Sequence, residues 1–236
     1  MKRNYYLDTY RGLTIISMII FHLCYNINYY KSISRYDGSI LNKIWQLSIA
    51  ISFFLISGIT SSLISPKKNI IRGLKTSALG FLISLITYLF AREQLIVWGV
   101  LNALGLSMII TGLLQERIKI SSYFCIIFVI LFALTYSVPS RSLAEISFFN
   151  NLYMKNIFLL GFPSDEFSSS DYFPMIPWLF MYLAGFTAGN FLKVKNFYKA
   201  YGKDNFLARI GRLAMPIYLS HQIILYPLVT LFFKYF

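Results

Sequence analysis

The stretch YLDTYRGLTIISMIIFHLCYN, from Tyr6 to Asn26, begins with two charged residues, continues with an apolar run, and ends with a histidine and an asparagine. The apolar segment of residues 11–30 is long enough to cross a hydrocarbon core of about 30 Å. Ionisable groups are costly in lipid, so a histidine inside a membrane helix usually faces a bundle interior and marks a pathway or a reaction site. The stretch therefore predicts a membrane helix with a functional histidine.

The composition places the rest of the chain in the membrane as well. Of its 236 residues, 57% are hydrophobic and 13% are charged, and the mean hydropathy is +0.60. A soluble domain of this length could not bury so much apolar surface, and in lipid every backbone polar group must be paired internally. We therefore predict an all-α, polytopic integral-membrane helical bundle, with one domain over residues 1–236. About seven spans are predicted, at residues 11–30, 43–65, 73–91, 95–114, 121–138, 173–192 and 212–233.

The distribution of charge predicts how this bundle is oriented. A formal net charge of +13 would favour a nucleic-acid partner in a soluble protein. Here the basic residues lie mostly between the spans, as membrane orientation requires, so no nucleic acid is expected. The bias places the N-terminus inside, and an odd number of spans then places the C-terminus outside. The inner basic residues are Lys2, Arg3, Arg11, Lys67, Lys68, Arg72, Lys75, Arg117, Lys119, Lys193, Lys195, Lys199, Lys203, Arg209 and Arg212.

The segments between the spans differ in what they predict. PKKNIIR, residues 66–72, is interpreted as a short basic inner loop. The basic inner stretch of residues 193–212 is either a topology anchor, which we favour, or a landing site for an anionic ligand. The long outer stretch of residues 139–172 is typical of a functional loop and could cover the mouth of a cavity. Cys24 and Cys125 fall inside spans and are interpreted as packing residues, and no metal-binding motif is found.

The two histidines of the chain are predicted at similar depths. His22 lies eleven residues beyond Arg11 and His221 nine residues beyond Arg212, which corresponds to about 13–17 Å along each helix. At about 100° per residue, Arg11 and His22 share one face of the first helix, with Asp8 and Asn26 nearby. Asn26 follows His22 by four residues and is within reach of its ring. A histidine held in this way can act as a general base, although two hydrogen-bonded core histidines are the alternative.

Three other polar or helix-breaking positions lie in the spans. Asn102 is predicted about 10 Å deep if its span starts near Leu95, with helix packing as an equally weighted alternative. Pro216 is predicted to kink the last helix just before His221. Gln222 is predicted to point elsewhere around that helix.

Five segments in order resemble a known family: LDTYRGLTIISMIIFH (7–22), FFLISGIT (53–60), GVLNALG (99–105), LLGFPSDEFSSSDYFPMIPWLFMYLAGFTAG (159–189) and GRLAMPIYLSHQ (211–222). They are similar to bacterial members of the heparan-α-glucosaminide N-acetyltransferase-like family. The wider group of transmembrane acyltransferases includes enzymes that acylate envelope polysaccharides. The resemblance implies a helical bundle that transfers an acyl group from cytosolic acyl-CoA, with acetyl-CoA as the expected donor, to an outer hydroxyl or amine. Heparan itself is not expected as the acceptor, because the chain lacks a large luminal domain.

The resemblance also assigns site residues. The motif arginine and histidine correspond to Arg11 and His22, and the YLSHQ histidine to His221. Bacterial members often have an aspartate four residues after the first histidine, where this chain has Asn26, and histidine or glutamine where it has Asn102. The loss of a carboxylate beside His22 weakens the expectation of a His–Asp dyad.

The residues and the resemblance together predict an acyl-CoA-dependent membrane acyltransferase, with acetyl as the expected acyl group, in the cytoplasmic membrane of a microbe. His22 would deprotonate the acceptor or carry the acyl group itself, and Asn102 or His221 would stabilise the oxyanion. The donor phosphates would contact basic residues at the inner mouth, and a sugar-like acceptor would contact the outer loop. The donor-binding candidates are Arg11, Arg72, Lys75 and Arg212, and the acceptor-binding candidates are Asp171, Tyr172 and Trp178.

Two rival functions stay open at this point. A transporter or channel could line its path with His22 and His221, but the two related halves that many transporters show are not evident. A family member that keeps the fold without catalysis is the second rival, and Asn26 is the residue that favours it. The sequence also leaves a homodimer open.

Overall fold

The computed structural model describes residues 4–32, 36, 38–115, 121, 123–197 and 202–235. Within these ranges the secondary structure is helical, with three short 3₁₀ turns and no extended strand. The helices are α1 (Tyr5–Tyr30), α2 (Ile40–Ser62), α3 (Pro66–Phe90), α4 (Val100–Leu114), α5 (Phe124–Thr135), α6 (Ser147–Met154), α7 (Met175–Val194), α8 (Phe206–Arg212) and α9 (Ala214–Tyr235). The inner basic residues Lys2, Arg3, Arg117, Lys119 and Lys199 lie outside the described residues.

The predicted fold class, a helical membrane bundle, is confirmed. Among the described residues, five helices are long and apolar enough to cross a bilayer: α1, α2, α3, α7 and α9. Helix α4 and the segment that begins with α5 are apolar but shorter. Each of these seven helices overlaps one of the seven predicted spans, with different ends. The number of membrane crossings and the inside position of the N-terminus stay predictions.

Three local predictions were wrong. The segment PKKNIIR forms the first two turns of α3 and not a loop, because Pro66 stands at the start of the helix, where proline is favoured. Helix α4 begins at Val100 and not near Leu95, because a 3₁₀ turn and an extended segment precede it. Pro216 does not kink a helix: it lies in the first turn of α9, after a break at Leu213.

The chain divides into two compact units, and a single domain stays a prediction. The first unit comprises Met1–Ile56 and Asn196–Phe236. Its core is formed by side chains from α1 and α2, with apolar residues of α8 and α9 packed against them. Helices α1 and α8 cross in close contact, since a methyl group on Gly211 would lie 1.8 Å from the Asp8 carbonyl oxygen. The core residues are Ile15, Met18, Phe21 and Ile49.

The second unit comprises Ser57–Lys195. Helices α3 and α4 approach closely at Gly73 and Gly105, where small residues allow backbones to meet. The segment before α7, which the sequence predicts to be the outer stretch, has its own small core of Val138, Tyr153 and Phe162. The same segment binds the start of α4, since Phe173 N donates to the Trp98 carbonyl at 3.0 Å. The outer stretch is therefore an ordered part of this unit.

Candidate functional site

The two histidines of the chain lie side by side in the first unit. His22 comes from α1 and His221 from α9, and their ring centroids are 4.8 Å apart. The Nδ1 atom of His221 lies 2.5 Å from the Tyr218 carbonyl oxygen. A carbonyl can only accept a hydrogen bond, so Nδ1 of His221 carries the proton and Nε2 is an acceptor. This Nε2 is buried and has no hydrogen-bond partner among the described residues.

Gln222 joins His22 to Asn26. Its Nε2 lies 2.9 Å from His22 Nδ1, and its Oε1 accepts from Asn26 Nδ2 at 3.0 Å. The prediction that Gln222 points elsewhere was therefore wrong. Neighbouring residues on a helix are only about 100° apart, and both His221 and Gln222 have side chains long enough to reach α1. Asn26, which is 5% exposed, thus reaches the His22 ring through Gln222.

Aromatic side chains fix the position of His22 on α1. The Phe21 ring meets the His22 ring edge to face at 5.6 Å, and Trp45 packs on Phe21 at 5.3 Å. Trp45 Nε1 donates to Ser17 Oγ at 2.8 Å, and the Tyr36 hydroxyl donates to the Phe21 carbonyl at 3.1 Å. Both donors are satisfied on the same helix, so this aromatic cluster orients α1 around its histidine.

The two basic candidates of the first unit are paired with carboxylates. Arg11 Nη1 donates to Asp8 Oδ1 at 2.9 Å, and Arg212 Nη1 donates to Asp204 Oδ1 at the same distance. Asp8 is 4% exposed, so the Arg11 pair is held inside the unit. A donor phosphate would have to compete with these carboxylates for either guanidinium.

Arg72, in the second unit, has no such partner. It lies on α3 and is half-buried, and its Nη1 is buried without a hydrogen-bond partner in the described part of the chain. The guanidinium interacts electrostatically with the Tyr182 hydroxyl of α7. Lys75, one turn further along α3, is exposed. Arg72 is therefore a cation without a counter-charge among the described residues.

A buried polar chain lies beside Arg72. Ser61 Oγ donates to Asn69 Oδ1 at 2.8 Å, and Asn69 Nδ2 donates to Thr111 Oγ1 at 3.1 Å. Because the Ser61 proton is used on Asn69, the Tyr182 hydroxyl donates to Ser61 Oγ. These four side chains are at most 2% exposed. Four helices therefore meet at a polar cluster whose members bond to one another, and the described residues of this cluster give Arg72 Nη1 no hydrogen bond.

Asn102 lies in the first turn of α4 and not deep in a span. Because the helix begins at Val100, the depth of about 10 Å predicted from Leu95 was wrong. The side chain is 1% exposed, and its amide oxygen would lie 2.4 Å from a methyl group on Gly80. Neither of its polar side-chain atoms has a partner in the described ranges. The same holds for Trp98 Nε1, which the sequence did not suggest.

The three acceptor-binding candidates lie in the second unit, at the segment before α7 and the first turn of α7. Asp171 Oδ2 accepts from Val100 N at 3.2 Å, and burial raises the pKa of Asp171 to about 6. The Tyr172 hydroxyl donates to the Phe158 carbonyl at 2.5 Å, and burial raises the pKa of Tyr172 above its ordinary value. Trp178 is 7% exposed and packs between Phe132 and Phe173. Their contact with an acceptor stays a prediction.

The comparison with known protein families covers both units. The model of the family described as heparan-alpha-glucosaminide N-acetyltransferase, catalytic, matches residues 3–223. The chain belongs to this family. Members of the heparan-alpha-glucosaminide N-acetyltransferase family are acetyl-CoA-dependent transferases. The family and the long apolar helices together make the chain a multi-pass membrane protein of an acyltransferase family. No curated protein and no solved structure matches it significantly.

Sequence reasoning missed Gln222 and Trp98 as polar groups of interest. For Gln222 a signal was present, because an amide within an apolar span needs a partner and Asn26 has the same need. The heparan-alpha-glucosaminide N-acetyltransferase family match ends at residue 223, just after Gln222. For Trp98 no sequence signal was available, since the lack of a partner for its Nε1 among the described residues depends on tertiary packing.

Proposed function

We propose that this protein transfers an acetyl group from acetyl-CoA at the inner side of a microbial cytoplasmic membrane to an outer, sugar-like hydroxyl or amine. The observation that carries the proposal is the His22 cluster. In a chain of this family, a membrane helix holds a histidine ring by a hydrogen bond to one nitrogen, Nδ1. The other nitrogen, Nε2, is then the atom that can exchange a proton with substrate.

The reaction that we propose balances as follows. The acceptor oxygen or nitrogen attacks the thioester carbonyl, and its proton passes to His22 Nε2. The tetrahedral intermediate then breaks its carbon–sulfur bond, and the proton returns from Nε2 to the CoA sulfur, which leaves as a thiol. The products are the acetylated acceptor and CoA, and His22 ends in its starting state.

Asn102 and His221 stay the two oxyanion candidates that the sequence named; Asn102 belongs to the second unit, and His221 belongs to the same unit as His22. An oxyanion needs an N–H or O–H group aimed at it. Asn102 Nδ2 offers two N–H groups and has no partner among the described residues. His221 is the weaker hydrogen-bond donor, because its one proton is used on the Tyr218 carbonyl and its Nε2 is an acceptor.

Arg72 is our candidate for a donor phosphate. Binding of a phosphate there breaks no ion pair in the described structure, whereas Arg11 and Arg212 would have to leave Asp8 and Asp204. A charge-assisted hydrogen bond from a guanidinium to phosphate is among the stronger polar contacts in proteins. Lys75 can add long-range attraction from the surface of the same helix.

The proposal is tested by the release of CoA thiol from acetyl-CoA by the purified protein in detergent, with glucosamine as the acceptor probe. We expect acceptor-dependent release, and a loss of about 100-fold or more in His22→Gln, since general acid–base catalysis contributes about 10²–10⁴-fold. Cys24→Ser, two residues further along α1, is the matched control and should keep its activity. Near-normal release by a well-folded His22→Gln variant would exclude the role of His22.

A further inference from the structure

The hydrogen bonds between Asn26, Gln222 and His22 can run in two directions. In the first, Asn26 Nδ2 donates to Gln222 Oε1, and Gln222 Nε2 donates to His22 Nδ1. Turning both amides exchanges their oxygen and nitrogen atoms and keeps the two distances of 3.0 Å and 2.9 Å. In the second direction, His22 Nδ1 donates to Gln222 Oε1, and Gln222 Nε2 donates to Asn26 Oδ1. In both directions, each of the two hydrogen bonds has one donor and one acceptor.

The direction decides what the His22 ring can do. When Nδ1 accepts from Gln222, the ring proton is on Nε2, and Nε2 cannot take a proton from a substrate. When Nδ1 donates to Gln222, Nε2 has a free lone pair and can act as a base. Protonation of the ring also requires the second direction, because an imidazolium has N–H groups at both nitrogens and needs an acceptor at Nδ1.

We propose that Gln222 is a positioning residue that sets the tautomer of His22. We also propose that the residue at position 26 sets the direction of the hydrogen bonds between positions 26, 222 and 22. Asparagine can donate or accept, so Asn26 allows both tautomers. An ionised aspartate can only accept, so Asn26→Asp would fix Gln222 Oε1 against Nδ1 and leave Nε2 open as a base. The effect of position 26 on His22 thus passes through Gln222 and needs no direct contact with the ring. This inference rests on the proposed function of His22.

The geometry supports an assignment to Gln222 and not to a general packing effect. Gln222 is half-buried and Asn26 is buried, so their amides need partners within the protein. Among the described residues, Gln222 is the one that hydrogen-bonds to both Asn26 and His22. His221 does not take part, because its Nδ1 is bound to the backbone of its own helix.

Two histidines in the chain make a direct test practicable. The full chain, labelled with ¹⁵N-histidine and purified in detergent, gives only four imidazole nitrogens in a long-range ¹H–¹⁵N spectrum. His221→Gln assigns the His22 pair. The position of the proton on His22 is then read from the two nitrogen shifts, without donor or acceptor.

The inference predicts a defined pattern across variants. Asn26→Asp and Gln222→Glu should both place a proton on Nδ1 of His22. In Asn26→Asp the carboxylate accepts from Gln222 Nε2, so Gln222 Oε1 faces Nδ1, and in Gln222→Glu the carboxylate itself can only accept from Nδ1. Gln222→Met, an unbranched replacement of similar length, should change the tautomer ratio away from that of Asn26→Asp. Ser220→Ala, a neighbour on α9 whose hydroxyl bonds to the Ile217 carbonyl, is the control and should leave His22 unchanged. Thermal melts identify variants that fold.

Two results would overturn the inference. One is an unprotonated Nδ1 in Asn26→Asp and Gln222→Glu, and the other is the same tautomer in Gln222→Met as in Asn26→Asp. Failure of the proposed function has a separate signature. If acetyl-CoA does not stabilise the wild-type protein while the tautomers follow the predicted pattern, the acetyltransferase proposal fails and the role of Gln222 stands.

Discussion

Replacing Arg72 by glutamine tests whether this half-buried cation of α3 binds a phosphate of the donor. The guanidinium Nη1 is buried without a partner among the described residues, so a bound phosphate gains a hydrogen bond without breaking an ion pair. Hydrogen bonds to charged groups contribute about 1.5–3 kcal/mol, which corresponds to about 10- to 150-fold in Kd. Arg72→Gln should therefore raise the Kd of acetyl-CoA by about that factor.

The assay compares acetyl-CoA with S-acetylpantetheine, which has the same thioester and no phosphate. Titration calorimetry on the detergent-solubilised protein should show the loss of affinity for acetyl-CoA only. Lys75→Gln removes the same charge from an exposed position one turn away on the same helix, and it should change the Kd by less than about threefold. Equal losses for both ligands, or equal losses in both variants, would refute the assignment of Arg72 to a phosphate.

Three further predictions concern stability, pH dependence and the activity of a His221 variant. Asn102→Leu should stabilise the protein by about 1–3 kcal/mol, because it removes two buried polar atoms that have no partner among the described residues; a lower melting temperature in this variant would contradict the prediction. The pKa of Asp171 is raised to about 6 from an ordinary 3.8, so the folded state binds the proton more tightly and the melting temperature should fall as pH rises from about 4 to about 6. Asp171→Asn should flatten that dependence in thermal melts, and an unchanged slope would count against it. His221→Phe should keep the fold and reduce CoA release less than His22→Gln, since His221 Nε2 contacts no polar partner among the described residues; equal losses would assign it an equal role.

The helical spans were predictable from hydropathy, because each apolar run of this length has to satisfy its backbone within a helix. Their ends were less predictable, for local reasons. The basic residues of PKKNIIR suggested a loop, yet Pro66 is well placed at the first turn of α3. The apolar residues before Val100 suggested a longer α4, yet they form the extended segment that pairs with the outer loop.

The candidate site was predictable only in part. The similar depths of His22 and His221 followed from residue counting, and the structure brings the two rings together. The position of Gln222 on a helical wheel suggested that its side chain points away from the site. A helical wheel describes one helix alone and contains no information about which neighbouring helix packs against it. The pairing of Arg11 with Asp8 also follows from their spacing on α1, but the absence of a described partner for Arg72 depends on four helices meeting around it.

Thermal stabilisation of the purified wild-type protein by acetyl-CoA tests the central claim most directly, because it requires no knowledge of the acceptor. At a concentration of 100 times Kd, a ligand that binds only the folded state stabilises it by about 2.7 kcal/mol. We predict a concentration-dependent rise in melting temperature with acetyl-CoA that desulfo-CoA reproduces only in part. No rise at millimolar acetyl-CoA would contradict the account, and it would favour a transporter or a family member without catalysis.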